Sequence, residues 1–258
     1  MNLLIVYYSQ MKNTKIGVCI PTYNEKKNII QLIEKILKIK NILICIVDDN
    51  SPDNTSNIVI KYFKKYINNK IFVIKRKKKN GRGSAVWDGF NKLKKLDISL
   101  FIEMDSDFSH SITDLKKGIK IFNLNKNKSD ILLGSRYPKG LIINWPIQRR
   151  IFSRLANILA KLLISNKIND YTNGFRFYNI KAVNLMLLKK PDNKGYIYLI
   201  ETLSLFIQNR MIINEFMIVF RNRIRGKSNT NFSEIINSLL GIFSIAFNFH
   251  KIKYLKKT

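Results

Sequence analysis

Short apolar runs alternate with helical patterns along the first half of the chain. Five runs have the length and apolar character of buried strands, and they cover residues 15–20, 42–47, 70–74, 99–103 and 130–134. Between them apolar residues recur at helical spacing, as over residues 28–39 and 84–96. Strands alternating with helices of this length predict a parallel sheet with crossover helices. We therefore expect an α/β, Rossmann-like fold in which helices flank a mainly parallel sheet.

Polar clusters follow three of the predicted strands. In chain order they contain Tyr23 and Glu25, then Asp48 and Asp49, then Asp105 and Asp107. The carboxyl ends of parallel strands meet at one edge of a sheet, and open α/β sheets bind ligands at that edge. One such cluster alone is typical of a turn or a helix cap. Three of them together indicate a binding site, in which Asp48 and Asp49 can accept hydrogen bonds from a base edge or ribose hydroxyls.

The segment Asp105-Ser106-Asp107 carries the strongest chemical signal. Side chains alternate along an extended segment, so the two carboxylates share one face. Two hard oxygen ligands at this spacing suit Mg²⁺ or Mn²⁺ bridged to a diphosphate. Taken alone, the pair is more typical of an acidic turn that caps the helix starting near Ser111.

Candidate anion-binding residues lie in the second half of the chain. Arg149, Ser153 and Asn157 recur every four residues and share one helix face, which suits a phosphate, although a solvated basic face fits them equally well. Residues 221–229, which close a strand beginning near Met211, contain three Arg and Lys227 and can cover a diphosphate. The Gly81-x-Gly83 segment lacks a third glycine and is interpreted as a tight turn beside the site.

The composition of the chain bears on which kind of molecule the protein binds. The chain has 258 residues, 46% of them hydrophobic, and a formal net charge of +29. Such a charge fits nucleic acid, an anionic membrane surface or an anionic substrate. The lysines are spread over the whole chain and no nucleic-acid-binding motif is present, so we expect no nucleic-acid partner. Cys19 and Cys45 lie in apolar runs, which predicts buried, reduced thiols.

Six motifs together resemble one enzyme family. They are Pro-Thr-Tyr-Asn-Glu (21–25), Val-Asp-Asp-x-Ser-Pro-Asp-x-Thr (47–55), Met-Asp-x-Asp-x-Ser-His (104–110), Gly-Ser-Arg-Tyr (134–137), Ser-Arg-x-x-Asn (153–157) and Gly-Phe-Arg-x-Tyr (174–178). In this order they resemble the dolichyl (polyprenyl) phosphate mannosyltransferases, which are family-2 glycosyltransferases with a GT-A fold. The resemblance implies transfer of mannose from GDP-mannose to a polyprenyl or dolichyl phosphate, with inversion at the anomeric carbon.

The same resemblance implies roles for individual residues. Asp107 and Arg136 would be catalytic. The nucleotide sugar would contact Pro21, Tyr23, Glu25, Val47, Asp49, Asp105, Ser106, Asp107, Arg136, Arg223 and Lys227. The acceptor phosphate would contact Arg136, Arg149 and Ser153, and Mg²⁺ or Mn²⁺ would bind Asp105, Asp107 and Ser109. Three positions depart from the family pattern: Asn50 replaces a glycine, Ser106 replaces an alanine, and Gly226-Lys227-Ser228-Asn229 stands where the family has Gly-Glu-Ser-Lys, so the lysine is displaced from its expected place.

The chemistry of a phosphate acceptor supports this interpretation independently. A phosphate monoester is largely a dianion at neutral pH and needs no general base, only positioning and relief of charge repulsion. A hydroxyl acceptor would need a carboxylate base, and the candidate for this base in the second half of the chain is Glu201. The alternatives are another donor of the UDP-glucose type, a hydroxyl acceptor, or a basic nucleotide or nucleic-acid binder without catalysis.

The chain divides into three expected parts. Residues 1–14 are an N-terminal extension, residues 15–230 a GT-A domain, and residues 231–258 an amphipathic helix. The apolar part of that helix, residues 235–249, is too short to span a bilayer, because 15 residues at about 1.5 Å each cover about 22 Å of a hydrocarbon core of about 30 Å, and it is too apolar for an ordinary surface helix. We expect it to lie in the membrane interface; packing on the sheet or on a small membrane partner subunit remains the alternative. The expected location is peripheral, on the cytoplasmic face of a membrane.

Overall fold

A computed structural model describes residues 15–125, 128–188, 190–191, 197–223 and 232–255, with side chains of the last helix described from 239 to 251. Nine strands are formed in this part of the chain: β1 Ile16–Thr22, β2 Ile42–Asp48, β3 Ile71–Lys75, β4 Leu100–Glu103, β5 Ile131–Ser135, β6 Leu141–Ile143, β7 Arg176–Tyr178, β8 Ile213–Met217 and β9 Val219–Arg221. The five strands predicted for the first half are confirmed, with ends shifted by one or two residues.

Eight α-helices accompany these strands in the described residues. They are α1 Ile29–Leu37, α2 Thr55–Tyr62, α3 Arg82–Lys94, α4 Ile112–Leu124, α5 Ile147–Leu163, α6 Ile180–Leu187, α7 Ile197–Gln208 and α8 Phe232–Leu255. Ser111 caps α4, because its Oγ accepts the backbone N–H of Asp114 at 2.9 Å. None of the helices that the structure describes combines the length and the apolar character needed to cross a membrane.

Seven of the described strands form the central sheet, in the order β3-β2-β1-β4-β7-β5-β8. All neighbours are parallel except at β7, which is antiparallel to both β4 and β5. The strand predicted to start near Met211 is in fact two strands, because the chain leaves the sheet at Ile218 and β9 pairs with β6 in a separate two-stranded sheet. The sheet carries one apolar cluster on each face, as expected for strands covered on both sides.

Two turns bring backbone to the binding edge of the sheet. Asn50 has a φ of 61°, so the residue that replaces the family glycine does adopt the left-handed conformation. Gly81 has a φ of 87° at the start of α3, where its N–H and that of Asn80 both donate to the Asp49 carboxylate. The predicted tight turn at Gly81-x-Gly83 is therefore confirmed, and it is anchored to the end of β2.

The C-terminal helix α8 packs against α5 and α7. Its residues Ile242, Ile245, Ala246 and Phe249 are buried in the core. This face therefore packs into the protein through two helices, whereas the alternative stated from the sequence was packing on the sheet itself. Leu240, Phe243 and Phe247 on the other side of the helix are exposed. Residues 1–14, the expected extension, lie outside the described residues.

Candidate active site

A pocket of about 130 Å³ lies at the carboxyl ends of the central strands. Seven residues predicted from sequence line it, namely Asp105, Asp107, Ser109, Arg136, Arg149, Ser153 and Arg223. The two carboxylates follow β4, whereas Arg136 follows β5 and Arg149 and Ser153 belong to α5. The fold thus brings the predicted metal-binding segment and the predicted phosphate-binding residues to one pocket.

Asp107 is fixed by its own loop and by a cation. The N–H and the Oγ of Ser109 donate to Asp107 Oδ1 at 3.0 and 2.6 Å. On the other oxygen, Arg223 Nη2 lies 3.1 Å from Asp107 Oδ2, and Arg223 Nη1 lies 3.8 Å from Glu25 Oε1. Arg223 therefore joins the segment after β4 to the loop after β1.

Asp105 is paired with Arg82, a residue that the sequence interpretation did not select. Arg82 contacts Asp105 through Nη1 and Glu103 through Nη2 at 2.8 Å. Burial raises the pKa of Asp105, but Arg82 and the other nearby cations more than offset this and hold that pKa below its usual value. Burial raises the pKa of Glu103, which also accepts hydrogen bonds from Tyr178 and Tyr198.

His110 supports the same loop as a neutral imidazole. Its Nδ1 accepts the backbone N–H of Asp105 at 3.1 Å, so the proton resides on Nε2, which donates to Asn173 Oδ1 at 3.1 Å. Burial lowers the pKa of His110 despite the two nearby aspartates, which agrees with this tautomer. The ring is stacked on Phe175, with centroids 4.7 Å apart.

The donor set suits a hard divalent cation. Asp105, Asp107 and the Ser109 hydroxyl offer oxygen ligands on one side of the pocket. In the described part of the chain, no three His, Cys, Asp or Glu side chains form a self-sufficient metal cage. Mg²⁺ and Mn²⁺ commonly take one or two carboxylates and complete their coordination with phosphate and water, so these residues fit such an ion.

The residues expected to contact the nucleotide lie beside the pocket. Pro21 and Val47 are register partners on β1 and β2. The Val47 side chain is fully buried against α3, so only its backbone can meet a ligand. Asp49 pairs with Arg76 at 3.1 Å, and Lys79 lies 4.1 Å above the Tyr23 ring.

Three further positions predicted from the sequence are Glu25, Ser106 and Lys227. Glu25 is buried, and this desolvation raises its pKa to about 7 against the opposing hydrogen bond from Asn28. Ser106 is buried and does not line the pocket. Lys227 lies outside the described residues, so its expected diphosphate contact stays a prediction.

The part of the pocket around Arg136 is a connected polar network. Arg136 Nη2 donates to Thr172 Oγ1 at 2.7 Å, and Thr172 Oγ1 lies 3.3 Å from Ser153 Oγ. Asn157 Nδ2 donates to the same threonine at 3.2 Å. The Arg149 guanidinium carbon lies 5.4 Å from the Trp145 ring centroid. Two hydroxyls and two guanidinium groups therefore line this part of the pocket, and the Asn157 amide supports Thr172 from behind the lining.

Arg176 and Glu201, both named in the sequence analysis, lie outside the lining of the pocket. Arg176 is fully buried and donates to the carbonyls of Tyr171, Asn173 and Leu199, so it holds β7 and its loop together. Glu201, the candidate base for a hydroxyl acceptor, lies on α7 and is not among the described residues that line the pocket. The pocket thus offers no support for that candidate.

Comparisons with known proteins agree with this geometry. The model of the family described as "Glycosyl transferase family 2" matches residues 17–186. The chain belongs to glycosyltransferase family 2. This glycosyltransferase is 30% identical over 227 residues to the polyprenol monophosphomannose synthase of Mycolicibacterium smegmatis, covering 87% of this chain and 84% of that one. It is 32% identical over 237 residues to the dolichol-phosphate mannosyltransferase of Pyrococcus furiosus, covering 90% of this chain but only 63% of that protein's length.

Solved structures confirm the GT-A fold of the glycosyltransferase. Glucosyl-3-phosphoglycerate synthase from Mycobacterium tuberculosis, in complex with Mn²⁺, UDP-glucose and phosphoglyceric acid, matches with a TM-score of 0.66 and 15% identity over 94% of this chain and 82% of that chain. The same enzyme without those ligands in its description matches with a TM-score of 0.64 and 15% identity, covering 96% and 85%. At this identity the likeness shows the fold only.

Several pocket residues were missed by sequence reasoning. They are Trp145, Phe152, Ala156, Thr172, Asn173, Phe220 and Leu239; Gly174 and Asn222, which also line the pocket, belong to segments that the sequence had indicated. Most come from loops or from the apolar side of a helix, where no period or charge marks them. Arg82 could have been predicted from the sequence, because it lies within the Gly81-x-Gly83 turn that is expected beside the site.

Proposed function

We propose that this glycosyltransferase moves mannose from GDP-mannose to a polyprenyl or dolichyl phosphate, with inversion, at the cytoplasmic face of a membrane. One observation carries the proposal: a single pocket joins the two carboxylates after β4 to the guanidinium and hydroxyl groups of Arg136, Arg149 and Ser153. A diphosphate and a phosphate acceptor need those two kinds of surface side by side. The names of the two relatives support mannose and an isoprenoid phosphate.

The donor side is assigned to the acidic segment. Asp105, Asp107 and Ser109 would hold Mg²⁺ or Mn²⁺, which neutralises charge on the diphosphate as it leaves. Arg223, which lies 3.1 Å from Asp107, would contact the same diphosphate from the side of Glu25. Pro21, Tyr23, Glu25, Val47 and Asp49 would contact the nucleoside part, beyond the pocket at the ends of β1 and β2.

The acceptor side is assigned to the network around Arg136. The phosphate dianion would lie between Arg136, Arg149 and Ser153, which orient one phosphate oxygen toward the anomeric carbon. That oxygen forms the new bond to carbon as the bond to the diphosphate oxygen breaks on the opposite face, and GDP leaves. Because the nucleophile is already ionised, no side chain has to remove a proton.

The decisive experiment is a panel of radiolabelled nucleotide sugars tested with polyprenyl phosphate and with free polyprenol. We expect label to enter the lipid fraction from GDP-mannose with the phosphate and a divalent cation, and the product to have the β configuration by NMR. Transfer from UDP-glucose but not from GDP-mannose would replace the donor assignment. Equal transfer to the free alcohol would contradict the phosphate acceptor.

A further inference from the structure

The helix that carries Arg149 and Ser153 also carries an exposed apolar stripe. Its members are Ile147, Ile151, Leu155, Ile158 and Leu162 of α5. At about 100° per residue these five positions fall within an arc of about 80°. Leu162 is 77% exposed and Ile147 is 65% exposed, so the stripe points away from the protein. Helices of globular domains normally turn such a stripe toward the core.

The C-terminal helix repeats this arrangement. Leu240, Phe243 and Phe247 of α8 are exposed on one side, and Phe247 reaches 71%. Their positions span an arc of about 60°. The opposite side of α8 already packs in the core through Ile242 and Phe249. The exposed apolar side chains are therefore additional to those that hold the helix in place.

The two helices run side by side in the same direction. Leu239 and Phe152 line the same pocket, and farther along His250 Nε2 hydrogen-bonds with the Leu163 carbonyl at 2.7 Å, both pairs being 87 residues apart in sequence. Angles are counted around each helix axis in the sense in which residue number increases, at about 100° per residue. In α5 the centre of the exposed stripe lies about 100° before Phe152. In α8 it lies about 70° after Leu239. Because α5 and α8 are parallel and approach each other near Phe152 and Leu239, these two angles of opposite sign turn both stripes to the same side of the helix pair.

The apolar surface is bordered by positive charge and opens into the pocket. Arg154 of α5 and Lys251 of α8 are exposed beside the stripes, in a chain of net charge +29. Phe152, Ala156 and Leu239 continue the apolar surface inward as a wall of the pocket. An apolar face edged with basic residues is the pattern of helices that lie in the interface of anionic membranes.

We propose that the outward faces of α5 and α8 form one monotopic membrane-docking surface, through which the acceptor lipid enters the pocket sideways from the bilayer. The first isoprenoid units would then lie along Phe152, Ala156 and Leu239, with the phosphate at Ser153 and Arg149. The identity of the lipid rests on the proposed function. The docking surface rests on the exposed residues of the two helices and is tested without the lipid.

The test is flotation of the full-length protein with phosphatidylcholine vesicles containing one fifth phosphatidylglycerol and no acceptor. We expect Ile151→Glu/Ile158→Glu and Phe243→Glu/Phe247→Glu each to lower the partition coefficient by more than about tenfold. Leu124→Glu/Leu188→Glu, at exposed apolar positions elsewhere, is the matched control and should float like the wild type. Ile151→Ser/Ile158→Ser, with its melting temperature measured, serves in place of any glutamate variant that fails to fold.

Activity assays separate the two proposals. Transfer to a short, water-soluble isoprenoid phosphate should change by less than about twofold in the stripe variants, because the pocket itself is intact. Transfer to long polyprenyl phosphate in vesicles should fall with vesicle binding. Stripe-dependent flotation without turnover of any isoprenoid phosphate would refute the acceptor and leave the surface assigned. Absence of wild-type flotation, flotation unchanged in the stripe variants, or loss of a dimer instead of vesicle binding would overturn the docking surface.

Discussion

Arg136 and Asp170 form a buried, two-pronged ion pair, with Nε–Oδ2 and Nη2–Oδ1 distances of 2.8 Å each. Burial alone would raise the pKa of Asp170, but Arg136 holds it below its usual value. The backbone N–H of Arg136 donates to the same carboxylate at 2.9 Å. The guanidinium that is expected to meet the acceptor phosphate is thus held in one orientation before any ligand binds.

Replacing Asp170 by Asn should loosen that guanidinium and destabilise the fold. Removal of one partner of a buried pair costs about 3–5 kcal/mol of unfolding free energy. Urea denaturation measures this loss, and the KM for the acceptor should rise more than the KM for the donor. Lys190→Ala removes the exposed pair with Asp88 at 3.4 Å and should cost less than about 1 kcal/mol. Equal losses in the two variants would contradict the role of the buried pair.

Metal binding should depend on the diphosphate. The cations Arg82 and Arg223 already pair with Asp105 and Asp107, so the acidic segment has little net charge to attract a free cation. We expect GDP to tighten Mn²⁺ binding at least about tenfold, as measured by electron paramagnetic resonance, with the reciprocal effect on GDP.

Asp107→Asn tests the same segment directly. It should abolish the GDP-dependent gain in Mn²⁺ affinity and lower turnover at least about 100-fold, because one ligand is lost. Asp97→Asn, at an exposed turn with a φ of 54°, is the matched control. Full metal-dependent activity in Asp107→Asn would remove the acidic segment from the metal site.

Arg149→Ala should weaken the acceptor selectively. We expect the KM for a water-soluble isoprenoid phosphate to rise about tenfold or more and the KM for the donor to stay within about twofold. Arg149→Lys should recover only part of the loss, because lysine lacks the planar fork that stacks near Trp145. Arg154→Ala, on the exposed side of the same helix, is the control. Equal changes in both KM values would place the acceptor phosphate elsewhere.

Glu25 should make stability depend on pH in the neutral range. Its pKa is about 7 in the folded protein, against 4.5 for an ordinary glutamate, so the folded state binds more protons than the unfolded chain between these values. Stability therefore falls as pH rises from about 4.5 to about 7, by about 3 kcal/mol in total for this group. Chemical denaturation should show this slope in the wild type and its absence in Glu25→Gln. Parallel curves for the two proteins would refute the raised pKa.

The sequence was informative where one period or one spacing decides the structure. Buried parallel strands read as apolar runs, so β1 to β5 were predicted within two residues. The acidic segment after β4 and the face of α5 with Arg149 and Ser153 were found because their chemistry is concentrated at a strand end or at helical spacing. These residues do meet in one pocket.

Other features depend on contacts distant in sequence. Strand β7 has only three residues and lies between two strands made earlier in the chain, so no local period marks it. The partner of Arg136 is Asp170, 34 residues later. For α8, the apolar residues indicated burial of some kind, but only the packing shows which of them face the core and which face outward.

The position of β7 also determines an order of events during synthesis. Within the residues that the structure describes, strand β5 pairs with β7 and β8 and with no other strand, and both leave the ribosome after it. Strands β1 to β4, in contrast, can pair with one another as soon as β4 is complete. We expect β1 to β4, which carry the proposed donor site, to assemble first. Strand β5 and Arg136, which follows it, can join the sheet only after β7 has been synthesised. Limited proteolysis of ribosome-arrested chains that end shortly after β5 should leave β1 to β4 intact and cleave β5; equal protection of β5 in these chains would contradict this order.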